Sequence, residues 1–227
     1  MMGKSREAII TIDGPAGAGK STVARLLAQR LGYRLLDTGG MYRALAWSVA
    51  QAGIDASDEP AIARHLESVT VTVEDDRFLV NGREVTAEIR TPEIGALTSR
   101  ITALAAVREK VTPWQRQAAS KGGVVLEGRD TGTVVCPNAD VKFFLDASTD
   151  TRARRRQAEL AAAGRAVPLD EVREEIMVRD VQDSTRALAP LRKAHDAIEV
   201  DTSDRSADEI VAMMREAIER TRCCTRS

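Results

Sequence analysis

The sequence predicts an α/β fold, a parallel sheet layered with helices and carrying a small antiparallel insertion, and three observations support that expectation. An apolar run, Ile9 to Ile12, stops at a glycine-rich turn that opens directly into a segment of helical period. Further short apolar runs alternate with helix-patterned stretches, the order that parallel strands joined by crossover helices produce. Between residues 68 and 85 the period changes to two, as a hairpin meander requires.

Taken in order, the first strand is expected over Ile9 to Ile12 and a helix over Lys20 to Leu31, with Val23, Leu26, Leu27, Arg30 and Leu31 at helical spacing and Gly32 as its stop. Tyr33 to Leu36 reads as a second strand. Thr38 is a candidate cap for a helix reaching about Ala52, and Ser57 to Leu66 reads as a short helix. The stretch SVTVTVEDDRFLVNGREV breaks at Asp75-Asp76 and again at Asn81-Gly82, a strong two-residue hairpin signal, so three antiparallel strands are expected. Thr86 to Ala119 returns to helix, interrupted near Pro92 and around Ala103 to Val107, and Lys121-Gly122-Gly123 closes it. Strands follow at Val124 to Glu127, Lys142 to Leu145 and Ala197 to Val200. Helices are expected around Arg152 to Arg156, from Pro168 to about Arg186, and from Ala207 to Arg222 with Ile210, Met213, Met214, Ala217 and Ile218 inward.

The whole chain sets outer bounds. Its 227 residues suit one large α/β domain or one domain with insertions. Apolar residues at 43%, charged residues at 30% and a net charge of -1 argue against a general nucleic-acid or membrane surface. There are 27 Arg against 6 Lys, so position must carry the argument for any arginine. Cys136, Cys223 and Cys224 give neither zinc spacing nor a disulfide framework. The two histidines, His65 and His195, read as surface residues, and neither a Ser-His-Asp triad nor a histidine metal site is expected. Met1 to Glu7 lacks the apolar core of a signal peptide and no run of eighteen apolar residues occurs, so a cytoplasmic protein is expected.

The glycine-rich turn carries the chemistry. Gly14, Gly19, Lys20 and Ser21 fill the spacing G-x-x-x-x-G-K-[ST], with a strand before and a helix after. Glycines let successive backbone N–H groups turn inward around a phosphate chain, and the helix adds its positive end. Lys20 is expected to reach the β and γ phosphates and Ser21 to offer its hydroxyl to Mg²⁺. In open parallel sheets ligands gather outside the carboxyl ends of strands, and three loops leave such ends: Asp13 into the phosphate loop, Leu36 into DTGGMYR, and Glu127 into GRDTGT. Thr38, Arg43, Arg129 and Asp130 are therefore expected to meet a second, anionic substrate.

A hydroxyl acceptor would call for a carboxylate base, whereas a nucleoside monophosphate already presents an ionised oxygen and raises the opposite problem, repulsion between anions. Arginine answers it with paired donors and a charge it does not lose. Arg43 and Arg129 fit an acceptor clamp; Arg152, Arg155 or Arg156, and Arg165 fit a mobile cover over the transferring group. The alternative for the 152 to 156 cluster is a solvated helix face, and for Arg179, Asp183 and Arg186, spaced by four and three, a surface salt-bridge row. Asp130 could serve only as a turn residue. Glu127, ending a buried strand, can hold water on Mg²⁺.

The stretches IDGPAGAGKST, LLDTGGMYRALA, EIRTPE, EGRDTGTVV with VKFFLDAS, and RDVQDSTRALAPL together resemble bacterial cytidylate kinases of the nucleoside monophosphate kinase group, over nearly the whole chain. The resemblance implies a three-layer P-loop fold with a five-stranded parallel core, a helical lid, and a large monophosphate-binding insertion where the meander lies. It implies one kinase domain: a core over about 1–37, 122–150 and 188–227, the insertion region over about 38–121, and the lid over about 151–187. Gly14, Pro15, Ala16, Gly17, Ala18, Gly19, Lys20, Ser21 and Thr22 would bind ATP. Thr38, Arg43 and Arg129 would approach the CMP phosphate, and Ser99, Arg108 and Asp130 would read cytosine. Asp183, with Arg179 and Arg186, would contact ribose and phosphate. Lys20, Arg129, Arg152, Arg155 and Arg156 would act on the transferring group, with Mg²⁺ on Ser21 and, through water, on Glu127. Thr38 stands where serine is common and Glu127 where aspartate is common.

The expected activity is ATP-dependent phosphorylation of CMP and dCMP by a monomer without nucleic-acid or membrane partners. Alternatives are a monophosphate kinase preferring UMP or AMP, a shikimate-type or other hydroxyl kinase, and a GTP-dependent switch. Asp37-Thr-Gly-Gly40 matches the weak D-x-x-G pattern of such switches, but their N-K-x-D is absent.

Overall fold

The computed structural model describes residues 7–74, 76–162 and 164–224. Asp75, half of the expected Asp75-Asp76 break, residues 1–6, and the side chains of Cys223 and Cys224 lie outside that description. The chain forms two compact units, one of residues 1–35 and 121–227, the other of residues 36–120.

The first unit is built on a five-stranded parallel sheet of order β2-β6-β1-β7-β8. Its strands are β1 (Ile9–Asp13), β2 (Arg34–Asp37), β6 (Val124–Glu127), β7 (Val141–Asp146) and β8 (Ile198–Asp201). β1 pairs in parallel with β6 and β7, and β7 with β8. Every residue of the central strand β1 is buried, which explains its unbroken IITID pattern: a strand covered on both faces has no polar face to alternate with. Helices α1 (Lys20–Leu31) and α8 (Ala207–Cys224) share one core with the sheet, in which Ile10, Ile12, Val125, Phe143 and Leu145 meet Val23, Leu27, Ile210, Met214 and Ile218. Gly32 ends α1 with φ 66 and donates its N–H to the carbonyls of Ala28 and Gln29, a left-handed stop that glycine adopts without penalty.

Met213 departs from its expected inward position. It is 41% exposed, while Val211 is buried. The buried stripe runs through Ile210, Val211, Met214, Ala217 and Ile218, and at about 100° per residue Met213 falls outside it. Its Sδ lies 3.4 Å from Arg205 Nη1 instead.

Helices α6 (Thr149–Ala162) and α7 (Leu169–Thr185) pair through a smaller cluster of Ala153, Leu160, Val172 and Ile176. Their remaining surface is free to carry charge.

The second unit contains α2 (Thr38–Gln51), α3 (Glu59–Glu67), the antiparallel strands β3 (Val71–Glu74), β4 (Arg77–Val80) and β5 (Arg83–Glu84), a 3-10 turn (Glu88–Arg90), α4 (Pro92–Ile101) and α5 (Ala105–Ala119). The meander pairs β3-β4-β5. Asn81 and Gly82 both adopt left-handed φ, 48 and 81, as the mirror-image turn that matches strand twist demands. A Cβ on Gly40 would lie 2.2 Å from Cζ of Phe78, so a glycine is what lets α2 meet the buried ring.

Two local expectations change. Asp37, not Thr38, caps α2, its carboxylate accepting from Gly40 N at 2.8 Å, while Thr38 is the first helical residue; a carboxylate outcompetes a threonine hydroxyl for the helix's unpaired N–H groups. His65 is half-buried and shares a 2.6 Å hydrogen bond with Ser48 Oγ. Its ring sits on α3 against α2, where an imidazole supplies both apolar bulk and a polar atom for a buried hydroxyl.

Candidate active site

In the first unit the loop after β1 folds as the motif requires. Gly17 and Gly19 take φ 76 and 82, so the backbone reverses within one turn and α1 begins with its N–H groups facing the concavity. Lys20 is buried, and its ammonium donates to the Pro15 carbonyl at 2.6 Å. Burial pushes its pKa well below the ordinary lysine value, the Arg129 and Arg179 cations push further the same way, and the Glu127 and Asp13 carboxylates oppose them. Ser21 Oγ donates to Glu127 Oε2 at 2.8 Å. A hydroxyl and a carboxylate held side by side are the hard oxygen donors that suit Mg²⁺.

Asp13, not singled out from the sequence, binds this loop to the next. Its carboxylate accepts from Thr131 N at 2.9 Å, Thr131 Oγ1 at 2.8 Å and Gly132 N at 2.7 Å. Burial raises its pKa, and these hydrogen bonds oppose the rise. The N–H groups it receives open a π-helical turn, Thr131–Val135, a geometry that occurs often at functional sites. The sequence hint is slight: an aspartate ending a buried strand needs a partner, and spacing does not name it. Asp13→Ala leaves two buried N–H groups unpaired at about 1–3 kcal/mol each, so stability is expected to fall by about 2–6 kcal/mol, read as a lower urea midpoint.

Immediately before that turn, Arg129 donates from Nε to Asp183 Oδ2 at 2.9 Å. Arg186 completes an alternating set, with Nη1 3.6 Å from Asp183 Oδ1 and Nη2 3.6 Å from Asp130 Oδ1, while its Nε donates to the Ala189 carbonyl at 2.6 Å. Arg179, Asp183 and Arg186 are therefore not a surface row. α7 turns Asp183 toward Arg129, and Arg179 is close enough to act on Lys20.

The α6 arginines divide. Arg152 is buried and donates to the carbonyls of Ala147 at 3.0 Å and Ala16 at 3.2 Å, to Thr149 Oγ1 at 3.3 Å, and to Asp180. Arg155 bonds Thr202 Oγ1 at 3.0 Å, and that hydroxyl donates to Ala18 O of the phosphate loop at 3.1 Å. Arg156 pairs with Glu159 at 3.1 Å on the surface, and Arg165 is exposed.

In the second unit, Arg43 Nη1 donates to the Ile89 carbonyl at 3.3 Å. A Cβ on Gly95 would lie 3.2 Å from the same nitrogen, and Ser99 Oγ donates to Gly95 O at 3.3 Å. Arg43 and Ser99 thus converge on one turn of α4. Arg108 is buried with its guanidinium 5.6 Å from the centroid of the Tyr42 ring and Nη1 3.4 Å from the Tyr42 hydroxyl. Thr38 is buried at the start of α2. Among the described residues no helix is long and apolar enough to cross a membrane.

Comparison with known proteins agrees with this geometry. The sequence family described as cytidylate kinase matches residues 10–220. A cytidylate kinase of Carboxydothermus hydrogenoformans is 48% identical over 215 residues, 93% of this chain and 97% of that protein. Those of Geobacter sulfurreducens and Geobacter sp. strain M21 are 48% and 46% identical, covering 94% and 92% of this chain and 93% and 92% of theirs. Among solved structures, a shikimate kinase from Acinetobacter baumannii in complex with shikimate superposes with a TM-score of 0.50 at 15% identity, covering 94% of each chain, which is a likeness of fold alone. A glycine-rich loop with a buried lysine, an arginine-carboxylate lattice behind it, and close relatives matched along nearly their full length lead to one statement: this chain belongs to the cytidylate kinase family.

Proposed function

We propose that the protein transfers the γ-phosphoryl group of ATP in line to CMP and dCMP, giving CDP and dCDP, as a cytoplasmic monomer in pyrimidine nucleotide metabolism. One observation supports this above the others. Lys20 is buried in the glycine-rich loop with its ammonium on the Pro15 carbonyl, and burial first, then the Arg129 cation, disfavour its charge, an arrangement that a polyanionic ligand relieves.

In this reading Gly14 to Thr22 wrap the ATP phosphates with backbone N–H groups, and Lys20 leaves the Pro15 carbonyl to meet them. Arg129 bridges donor and acceptor phosphates, so that two anions can approach without mutual repulsion; catalysis is then mainly positioning and charge neutralisation. Mg²⁺ would be held by Ser21 and, through water, by Glu127, supplying charge neutralisation on the phosphate oxygens. Arg43, Arg179 and Arg186 bind the acceptor phosphate and ribose with Asp183 and Thr38, while Ser99, Arg108 and Asp130 read cytosine. Arg155 and Arg156 cover the transferring group and Arg152 is the fixed post of that cover, α6 and α7 together acting as a lid.

The acceptor phosphate needs no base, since it is already largely dianionic near neutral pH. A hydroxyl kinase would need one, and the polar groups grouped here are arginines held by carboxylates. The deciding assay is ATP consumption with CMP, dCMP, UMP, AMP and GMP as separate acceptors in the presence of Mg²⁺. Turnover is expected to be fastest with CMP and dCMP. Preference for UMP or AMP would keep the chemistry and remove Ser99, Arg108 and Asp130 as a cytosine reader.

A further inference from the structure

Arg152 is an unusual lid arginine because its donors are already committed. Nε is bonded to Ala147 O, Nη1 to Ala16 O and to Asp180, and Nη2 to Thr149 Oγ1. Its backbone presses on the same loop: a Cβ added to Gly17 would stand 2.9 Å from both Cβ and O of Arg152. Side chain and main chain together therefore back the middle of the phosphate loop. Asp180 supplies the charge that holds the guanidinium there. The other oxygen of its carboxylate, Oδ1, is buried and bonds no group among the described residues, so the ion pair with Arg152 is the interaction that compensates its desolvation. Asp146, the other carboxylate near Arg152, stands 4.0 Å from Nε.

We propose that Asp180 is a positioning residue for ATP: through Arg152 it ties α7 to Ala16 and Gly17, keeping the phosphate loop open at the curvature the triphosphate needs. This rests on the reading of Gly14 to Thr22 as the ATP site. Asp180 sits on α7 one residue from Arg179 and three from Asp183, so the helix that holds Arg129 through Asp183 also fixes the loop on the donor side. Charge in the helix is what does this, since an uncharged amide at position 180 keeps shape but not the ion pair.

The test compares wild type with Asp180→Asn, Arg152→Lys and the double variant. It measures ATP dissociation constants by calorimetry without acceptor, KM for each substrate, and the unfolding midpoint. Asp180→Asn is expected to weaken ATP binding about tenfold and to lower the unfolding midpoint, since a buried guanidinium loses its ion-pair partner, with KM for CMP unchanged. The double variant is expected to lose no more than the larger single loss, because both changes break one interaction. Asp180→Glu, which restores the charge, should recover part of the affinity. Unchanged ATP affinity in Asp180→Asn overturns the proposal. So does a loss shared equally by ATP and CMP, since that describes a general brace of the fold. Wild-type protein that binds ATP but does not phosphorylate CMP would refute the proposed reaction and leave the binding comparison intact.

Discussion

Lys20→Ala is expected to lower kcat by about a hundredfold to a thousandfold with CMP as acceptor, the scale found when one preorganised charge or donor aimed at a transition state is removed. The lysine contributes little to the ligand-free protein that would be missed. It is buried, disfavoured as a cation by burial and by Arg129, and among the described residues its ammonium bonds a carbonyl of its own loop, so the circular dichroism spectrum is expected to stay that of wild type. A second signature comes from its depressed pKa. ATP phosphates favour the charged ammonium and reverse the shift, so at pH values above the ligand-free pKa of Lys20 binding takes up a proton. Apparent binding enthalpy should then depend on the ionisation enthalpy of the buffer throughout the window between the ligand-free and the ligand-bound pKa of Lys20. The dependence should vanish in Lys20→Ala. Wild-type turnover in that variant would remove the loop from the mechanism.

Asp130→Ala is expected to lower kcat/KM for CMP about tenfold to a hundredfold, the cost of losing a charge-assisted hydrogen bond of about 1.5–3 kcal/mol. KM for ATP should stay near the wild-type value, because the Asp130 carboxylate stands by Arg186. UMP and AMP, as poorer acceptors, should lose much less than CMP. An equal loss for all three would show that Asp130 only holds Arg186 in place. Asp130→Asn is the companion variant: it keeps a carbonyl acceptor and should retain part of the CMP preference.

Much of this was legible in the chain itself. The strand-loop-helix opening, the meander and the Asn81-Gly82 turn depend on local rules of backbone conformation, and the structure follows them. Arg179, Asp183 and Arg186 could be put on one helical face from spacing, yet whether that face met water or Arg129 depended on where α7 packs, which spacing does not encode. The same limit hid Asp13 and Asp180. Each reads as an ordinary acidic residue, and each acquires its meaning from a partner 118, 119 or 28 positions away in sequence. Arg152 shows the reverse case. Its membership in an arginine run suggested solvent or phosphate, and its burial against Ala16 O is a tertiary fact. Met213 failed because a helical stripe can be centred on either of two neighbouring lines of residues, and packing chooses between them.

Gly14 adopts φ 147, and a Cβ there would stand 1.9 Å from the Leu145 carbonyl oxygen of β7. That collision involves main chain on the neighbouring strand and no nucleotide. A descendant of this protein that had abandoned catalysis would still be obliged to keep glycine at position 14, whereas Lys20, whose hydrogen bond is to a carbonyl of its own loop, would be freer to drift. In judging whether a related chain remains an enzyme, the lysine is therefore the informative position, and the first glycine reports only that the sheet still closes.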